Sequence, residues 1–586
     1  MTQPLRRSQF ILSAGPGAII ESVNGPRIIP LPNIGLTNFQ PDKYEISEPR
    51  MSKGLLHNKR IFYLPSNAEL KKKDSYALYK TKKFPNWCLC NKHWILYKWH
   101  KGCSSCLSEG VSKRKIQEIR FVRACKKGHL DDVDWDYVVH ENKRCNTPNE
   151  YKWIGKGSTL KDVEIQCLNC GKKVNFGNVY SRSWRCSGRN PEQEELFGAS
   201  SRTITCEEDS HIIQRQASNL RIPEIVSLFT IPTCYTLLHK LLQIQSIDAA
   251  ISATPPTSKG QLESMLGNLL NRDKINENVC TEILNYSWEE IEKAIEDVIN
   301  QSVSSSYGQL IVEEFNALIE ASENGVPPRR RPKPNSPILF EVDLNSIERF
   351  EVNGFKLRVT PINRLHTLIV QKGFTRMDPT DGKPVDISFK DDGGDRWLPG
   401  VEFLGEGIFI MFDDNEGFKT IESPSKEKWT VCSIDQEKSY PDYLFRDATS
   451  KDELNPVFVW WHTLSHLLLR VLAIDSGYSS ASIRERVYVE RTDKGVRGGI
   501  ILYAVQPGSD GALGGLISLV PKFETILKRV FEIGKFCSND PLCIEQKNSF
   551  KCGTSYNGAA CYGCLLVSET SCEHRNMWLD RTFFVD

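Results

Sequence analysis

Apolar and polar positions alternate with different periods along this chain, and the changes of period divide it. From residue 1 to about 85, short apolar runs such as "RIIPLPNIG" and "RIFYLPSNAEL" are punctuated by Pro and Gly, the signature of strands and turns. Between about 211 and 325 the period becomes helical. "SWEEIEKAIEDVINQSV" carries apolar residues at helical spacing and acidic residues in its first turn. From about 338 to 450 the alternation in "FKLRVTP" and "GEGIFIMF" predicts strands. From 456 onward a long apolar helix, "PVFVWWHTLSHLLLRVLAI", is followed by a strand in "RGGIILYAVQ". No fixed-period repeat runs through the chain.

Length and composition set the frame for these elements. A chain of 586 residues is expected to form two to four domains. The predicted organisation is a β-rich segment at 1–85, a cysteine-rich zinc-binding region at 86–210 and a helical region at 211–325. A linker follows at 326–337, then a strand-rich domain at 338–455 and a C-terminal zinc-containing domain at 456–586. The fold class is α+β and multidomain. Zinc-ribbon-like modules are inserted in the N-terminal half, and a C-terminal α/β domain holds a four-cysteine zinc site. Hydrophobic residues make up 40% and charged residues 25%, close to ordinary soluble proteins. The net charge of +2 gives no whole-chain attraction to nucleic acid, which leaves local basic runs. The opening "MTQPLRRSQFILSAGPGAII" is interrupted by Ser, Gly and Pro and does not read as a signal peptide. No run of 18 or more apolar residues predicts a membrane span. "AGPGA" (Ala14 to Ala18) is a tight turn with no Lys-Ser/Thr after it, so it is not a phosphate loop.

Nineteen cysteines in a large chain without a signal point to metal sites in a reducing, cytoplasmic setting rather than to disulfides. "WCLCNKHWILYKWHKGCSSC" offers Cys90-x2-His93 and Cys103-x2-Cys106, two knuckles spaced as in a zinc ribbon, with Cys88 as a competing ligand for His93. Cys167-x2-Cys170 is a second knuckle. Its Gly171 stands where the turn needs a left-handed residue, and Cys186 and Cys206 are its candidate partners. Cys125, His129, His140 and Cys145 form a weaker set, either a metal site or a buried Cys with ordinary histidines. At the C-terminal end six cysteines compete for four places. Cys561 and Cys564 are the surest, Cys543 and Cys572 are favoured to complete the site, and Cys537 and Cys552 are the spares. Closed sites of this kind are structural, because a catalytic zinc keeps a position open for water.

His462 and His466 share one helix face, four residues apart. A polar stripe at a helix interface is the favoured reading, because no third ligand is evident nearby. Arg484 and Arg486, after a run of serines, are candidates for gripping phosphates, as are Arg329, Arg330 and Arg331 in the linker, for which a merely solvated linker is the favoured reading. Lys98 and Lys101 interleave with Trp94 and Trp99, a pattern suited to stacking on unpaired bases. The competing reading of those tryptophans is packing over a small ribbon.

With these residues in view, the chain resembles the DrmB family of the DISARM antiphage defence system of bacteria. The resemblance runs through "RRSQFILSAGPGAIIE", "RFVRACKKGHLDDVDW", "RQASNLRIPEIVSLFTIP", "WLPGVEFLGEGIFIMF" and "HTLSHLLLRVLAIDSGYSSASIRERVY". The last segment, "AACYGCLLVSETSCEHRNMWLDR", also resembles the C-terminal domain of Mrf-type DNA repair helicases, where a four-cysteine metal site is characteristic. The resemblance implies a non-catalytic, zinc-binding subunit that pairs with a DrmA-like helicase or ATPase and engages DNA, single-stranded or with an overhang. The missing Walker motifs fit a motor carried by that partner. A metal-dependent nuclease or hydrolase using His462 and His466 is the alternative.

Overall fold

The structure is a computed structural model. It describes the chain except residues 1–2, 111–115, 142–144, 146–149, 156–158, 197–204, 231–235, 300–306, 326–338, 379–381, 414–428, 430–455, 480–481, 493–494, 507–513, 550–556, 569–570 and 586. The expected linker with Arg329, Arg330 and Arg331 therefore lies outside the described residues, as does Cys552. The architecture is the mixed helix-and-sheet, multidomain one expected, with several sheets and several clusters of metal-binding side chains.

Two compact units make up the described chain. The first consists of Met1–Gln40, Leu64–Val226 and Gln371–Pro399. Its main feature is a six-stranded antiparallel sheet in the order Lys173–Asn175, Glu164–Cys167, Glu150–Ile154, Ile95–Lys98, Trp87–Cys90, Ile116–Glu118. A four-stranded antiparallel sheet runs Ser183–Arg185, Asp209–Gln214, Phe121–Ala124, Leu130–Asp132. These strands are three to six residues long, so aromatic side chains supply much of the core. Trp135, Phe176 and Tyr151 are fully buried. Phe176 meets Phe121 edge-on at 4.7 Å and Trp135 at 5.7 Å between ring centres. Large rings cover more area per residue than aliphatic side chains, which is how so short a set of strands acquires a core.

The second unit consists of Pro41–Tyr63, Ser227–Val370 and Gly400–Asp586. Its helices Leu237–Leu242, Gln245–Ala253, Lys259–Asn271, Glu277–Leu284 and Trp288–Ile299 enclose Leu242, Ile247, Leu262, Leu266, Ile283 and Ile291. Their starts are set by local chemistry. Ser258 and Asn276 each accept a hydrogen bond from a backbone N–H three residues on, satisfying a donor that the helix cannot. The long strands Phe355–Thr375 and Arg396–Phe412 pair antiparallel from Leu357 opposite Phe412 to Val370 opposite Gly400. The hairpin Ile483–Thr492 and Gly495–Gln506 continues that sheet.

Helix Pro456–Asp475 packs on this hairpin, with helix Phe523–Gly534 beside it. The helix is apolar on all sides and long enough to cross a membrane by composition, yet sixteen of its twenty residues are buried within the protein. It is a core helix, as an all-round apolar surface also allows. Gly498, the first of the two glycines in "RGGIILYAV", makes its close seating possible, since a Cβ there would collide with the Trp461 indole.

Candidate metal centres

Five groups of four side chains converge among the described residues, each with its donor atoms within 4.8 Å of one another. A tetrahedral zinc with bonds of about 2.0–2.3 Å places its donors about 3.3–3.8 Å apart, and that spacing is the test to apply.

Cys90, at the end of strand Trp87–Cys90, and His93 in the following turn face Cys103 and Cys106, which flank the start of helix Ser104–Ser108. The Cys90 and Cys106 sulfurs are 3.5 Å apart, and His93 Nδ1 lies 3.6 Å from Cys90, 3.7 Å from Cys103 and 3.3 Å from Cys106. His93 Nε2 is 3.0 Å from Glu109 Oε1, so the carboxylate fixes the ring with Nδ1 turned to the sulfurs. Cys88 is fully buried beside this group but is not one of the four. Burial pushes its thiol up to about 12.

The expected group of Cys167, Cys170, Cys186 and Cys206 divides between two centres, and the weaker set of Cys125, His129, His140 and Cys145 is split between the same two. Cys125 and His129 lie in the turn of the hairpin Phe121–Ala124 and Leu130–Asp132, and they meet Cys186 and Cys206 from the neighbouring strands. His129 Nδ1 is 3.4 Å from the Cys125 sulfur and 3.6 Å from Cys186, and all four residues are buried. A hydrogen bond with Cys186, then one with His129, brings Cys125 down to about 4. Cys167 and Cys170 instead join His140 and Cys145. His140 closes helix Trp135–His140, and its Nε2 is 3.3 Å from the Cys170 sulfur, while Asp136 Oδ1 holds Nδ1 at 2.7 Å. Gly171 has φ +76°, the left-handed turn the knuckle requires. Strand Asp209–Gln214 pairs with Phe121–Ala124, opposing His211 to Ala124, and that long-range register carries Cys206 to Cys125.

At the C-terminal end Cys537, not Cys572, completes the group with Cys543, Cys561 and Cys564. The sulfur separations are 3.4 Å for Cys537 and Cys561, 3.7 Å for Cys543 and Cys564, and 3.8 Å for Cys561 and Cys564. Arg581, buried and paired to Asp540 at 2.6 Å, anchors the loop between Cys537 and Cys543. Burial pushes Cys561 up, but hydrogen bonds with Asn539 and Cys537 outweigh it and bring the thiol down to about 6.

Cys572 lies elsewhere, with His462, His466 and Glu485. The premise of the polar-stripe reading, that no third ligand stands near His462 and His466, does not hold. Both are fully buried, and Glu485 Oε1 lies 2.8 Å from His462 Nε2 and 3.3 Å from His466 Nε2. Two of the basic candidates need a similar correction. Arg484 is buried. Arg486 is buried against Glu314 at 2.6 Å and Glu573 at 2.8 Å, and its guanidinium covers the Phe229 ring. Neither is placed to meet a phosphate: both side chains are buried, although strand Ile483–Thr492 stands at the end of its sheet. Lys98 and Lys101 are exposed. So are Trp94 and Trp99, at 49% and 43%.

Comparison with known proteins places these centres in context. DISARM protein DrmB of Bacillus paralicheniformis is 27% identical over 531 residues, covering 86% of this chain and 88% of that protein. The chain is a relative of DrmB. Two family descriptions match parts of it: a domain of unknown function, DUF8724, at residues 6–222, and the MrfA Zn-binding domain at residues 464–565. A crystal structure of the DUF1998 helicase MrfA bound to DNA is also similar, at 12% identity and a TM-score of 0.18, over 34% of this chain and 20% of the helicase. In this DrmB relative the MrfA Zn-binding match contains the whole of the Cys537, Cys543, Cys561 and Cys564 group, while His462 and Cys572 fall outside it.

Proposed function

We propose that this DrmB relative is a non-catalytic, zinc-binding subunit of an antiphage defence complex. It docks on a DrmA-like helicase or ATPase in the cytoplasm and contributes to the grip on single-stranded or overhang DNA. The DISARM relationship supports the setting. The closed four-donor groups support structural zinc, because none leaves a side for substrate or water. The sixteen described cysteines are all free of disulfides, which suits the same reading.

The observation that carries the DNA-binding part is the surface of the first centre. Trp94 and Trp99 stand exposed beside Lys92, Lys98 and Lys101, although a ribbon this small has every reason to bury its aromatic rings. Exposed rings interleaved with lysines suit a strand of unpaired bases, with stacking for affinity and ammonium groups for the phosphates. The full burial of His462 and His466 counts against the hydrolase reading.

The test is fluorescence anisotropy with single-stranded, double-stranded and overhang DNA over a salt series, for the chain alone and with its helicase-like partner. The expected result is binding that falls steeply with salt. W94A/W99A should weaken it by about 1–3 kcal/mol per stacked base. Binding that the double variant leaves unchanged would move the DNA contact elsewhere. Absence of binding in both states would leave a helicase-docking protein.

A further inference from the structure

His462, His466, Glu485 and Cys572 form a centre that no similarity assigns. We propose that they hold a second metal ion of the C-terminal region, a divalent cation of the zinc class, in a closed structural site.

Hydrogen bonding fixes what the four side chains offer. His462 Nδ1 lies 3.3 Å from the Trp578 carbonyl, and His466 Nδ1 lies 2.9 Å from the Leu565 carbonyl. A carbonyl only accepts, so both histidines carry a proton on Nδ1 and turn Nε2 inward. There His462 Nε2 meets the Cys572 sulfur at 3.3 Å and His466 Nε2 meets Glu485 Oε1 at 3.3 Å, both at the tetrahedral spacing. His462 Nε2 lies 2.8 Å from the same oxygen, closer than that spacing, and would part from it by about 0.5 Å around an ion. Two ring lone pairs, a carboxylate oxygen and a sulfur thus converge on one point, and acceptors facing acceptors repel unless a cation lies between them.

The surroundings favour a metal over protons. All four residues are buried, so any uncompensated charge would be costly. Two imidazolium rings against the single Glu485 carboxylate would leave a net positive charge there, and one would leave the other ring's Nε2 lone pair facing the same carboxylate oxygen. A divalent ion with one carboxylate, one thiolate and two neutral imidazoles sums to zero. The outer contacts are those of a metal site: each histidine is steered by a backbone carbonyl, Glu485 Oε2 is hydrogen-bonded to Ser465 Oγ, and the Asn576 N–H donates to the Cys572 sulfur at 3.2 Å. Imidazole, carboxylate and thiolate in one tetrahedron favour zinc over calcium or magnesium. His574 packs edge-on to His462, 5.1 Å between ring centres, and is not one of the four.

The experiment is a metal count per folded chain, by elemental analysis and native mass spectrometry, on the full-length protein and on E485Q and C572S. Five ions in the wild type and one fewer in each variant, with the far-UV spectrum intact, is the expected result. Variants that keep the wild-type count overturn the proposal, whatever that count is, and show a proton-bridged network instead. If neither variant folds, the wild-type count decides: five ions support the site, and four or fewer overturn it.

Discussion

The metal centres of the first unit and the four-cysteine centre of the second use similar donors in opposite circumstances. The three in the first unit combine three thiolates with one histidine and sit on strands of three to six residues. The Cys537, Cys543, Cys561 and Cys564 group lies beside a broad apolar core that includes Leu464, Leu468, Leu472, Ile500, Leu502, Phe523 and Leu527. Where strands are short, a bound metal would substitute for apolar area that the chain does not possess. Where the core is already large, it would pin loops at the edge. Donor identity follows the same division: His93 and His140 each take a carboxylate partner near the surface, while Cys537, Cys561 and Cys564 accept from backbone and amide N–H groups.

The comparison breaks most visibly on metal removal. Structural zinc contributes about 10–16 kcal/mol per site in small modules. A strong chelator should therefore erase hydrogen-exchange protection across 87–214 while the hairpin Ile483–Thr492 and Gly495–Gln506 retains it. Equal loss in both regions would show that the second unit depends on metal just as much. Acid should act in the same direction, since protons compete for every thiolate and imidazole, so metal content falls as pH falls. A smaller effect belongs to Arg486. R486A leaves Glu314 buried without its cation and should cost about 3–5 kcal/mol in denaturant unfolding of the second unit. L464A, which empties a fully buried position of the core helix, should cost about 2–5 kcal/mol in the same measurement. Smallest is E109Q. Weakening the carboxylate that orients His93 should lower zinc affinity at that centre about 10- to 100-fold in a competition titration, with the fold unchanged. D136N should do the same at His140.

Local spacing made part of this molecule legible. Cys90, His93, Cys103 and Cys106 were readable because both pairs have the same two-residue gap and face one another across a short hairpin. The other groupings were hidden because they depend on strand register. The His140, Cys145, Cys167 and Cys170 group is nested in sequence between Cys125 and Cys206, so assigning the nearest spare cysteines crosses the two sites. Cys572 lies eight residues from Cys564, yet the helix bearing His462 claims it. One signal was available. Glu485 falls between Ile483 and Val487, on the same face of an alternating strand, and a carboxylate at an apolar position asks for a buried partner. Arg484 and Arg486 misled for a related reason: an arginine in a strand looks solvated until the helix that covers it is known.

The separation in sequence between donors also sets when each centre can form. Cys90 and Cys106 are 16 residues apart, whereas His462 and Cys572 are 110 apart. Closing the longer loop costs about 1.7 kcal/mol more in chain entropy, by the logarithmic dependence on loop length. A ribosome-bound chain can assemble its first centre after a short stretch of synthesis, while the tie to Cys572 waits for more than a hundred further residues. The donor spacings therefore set a ranking of closure cost, low for the clasp at Cys90 and Cys106 and high for the tie between His462 and Cys572.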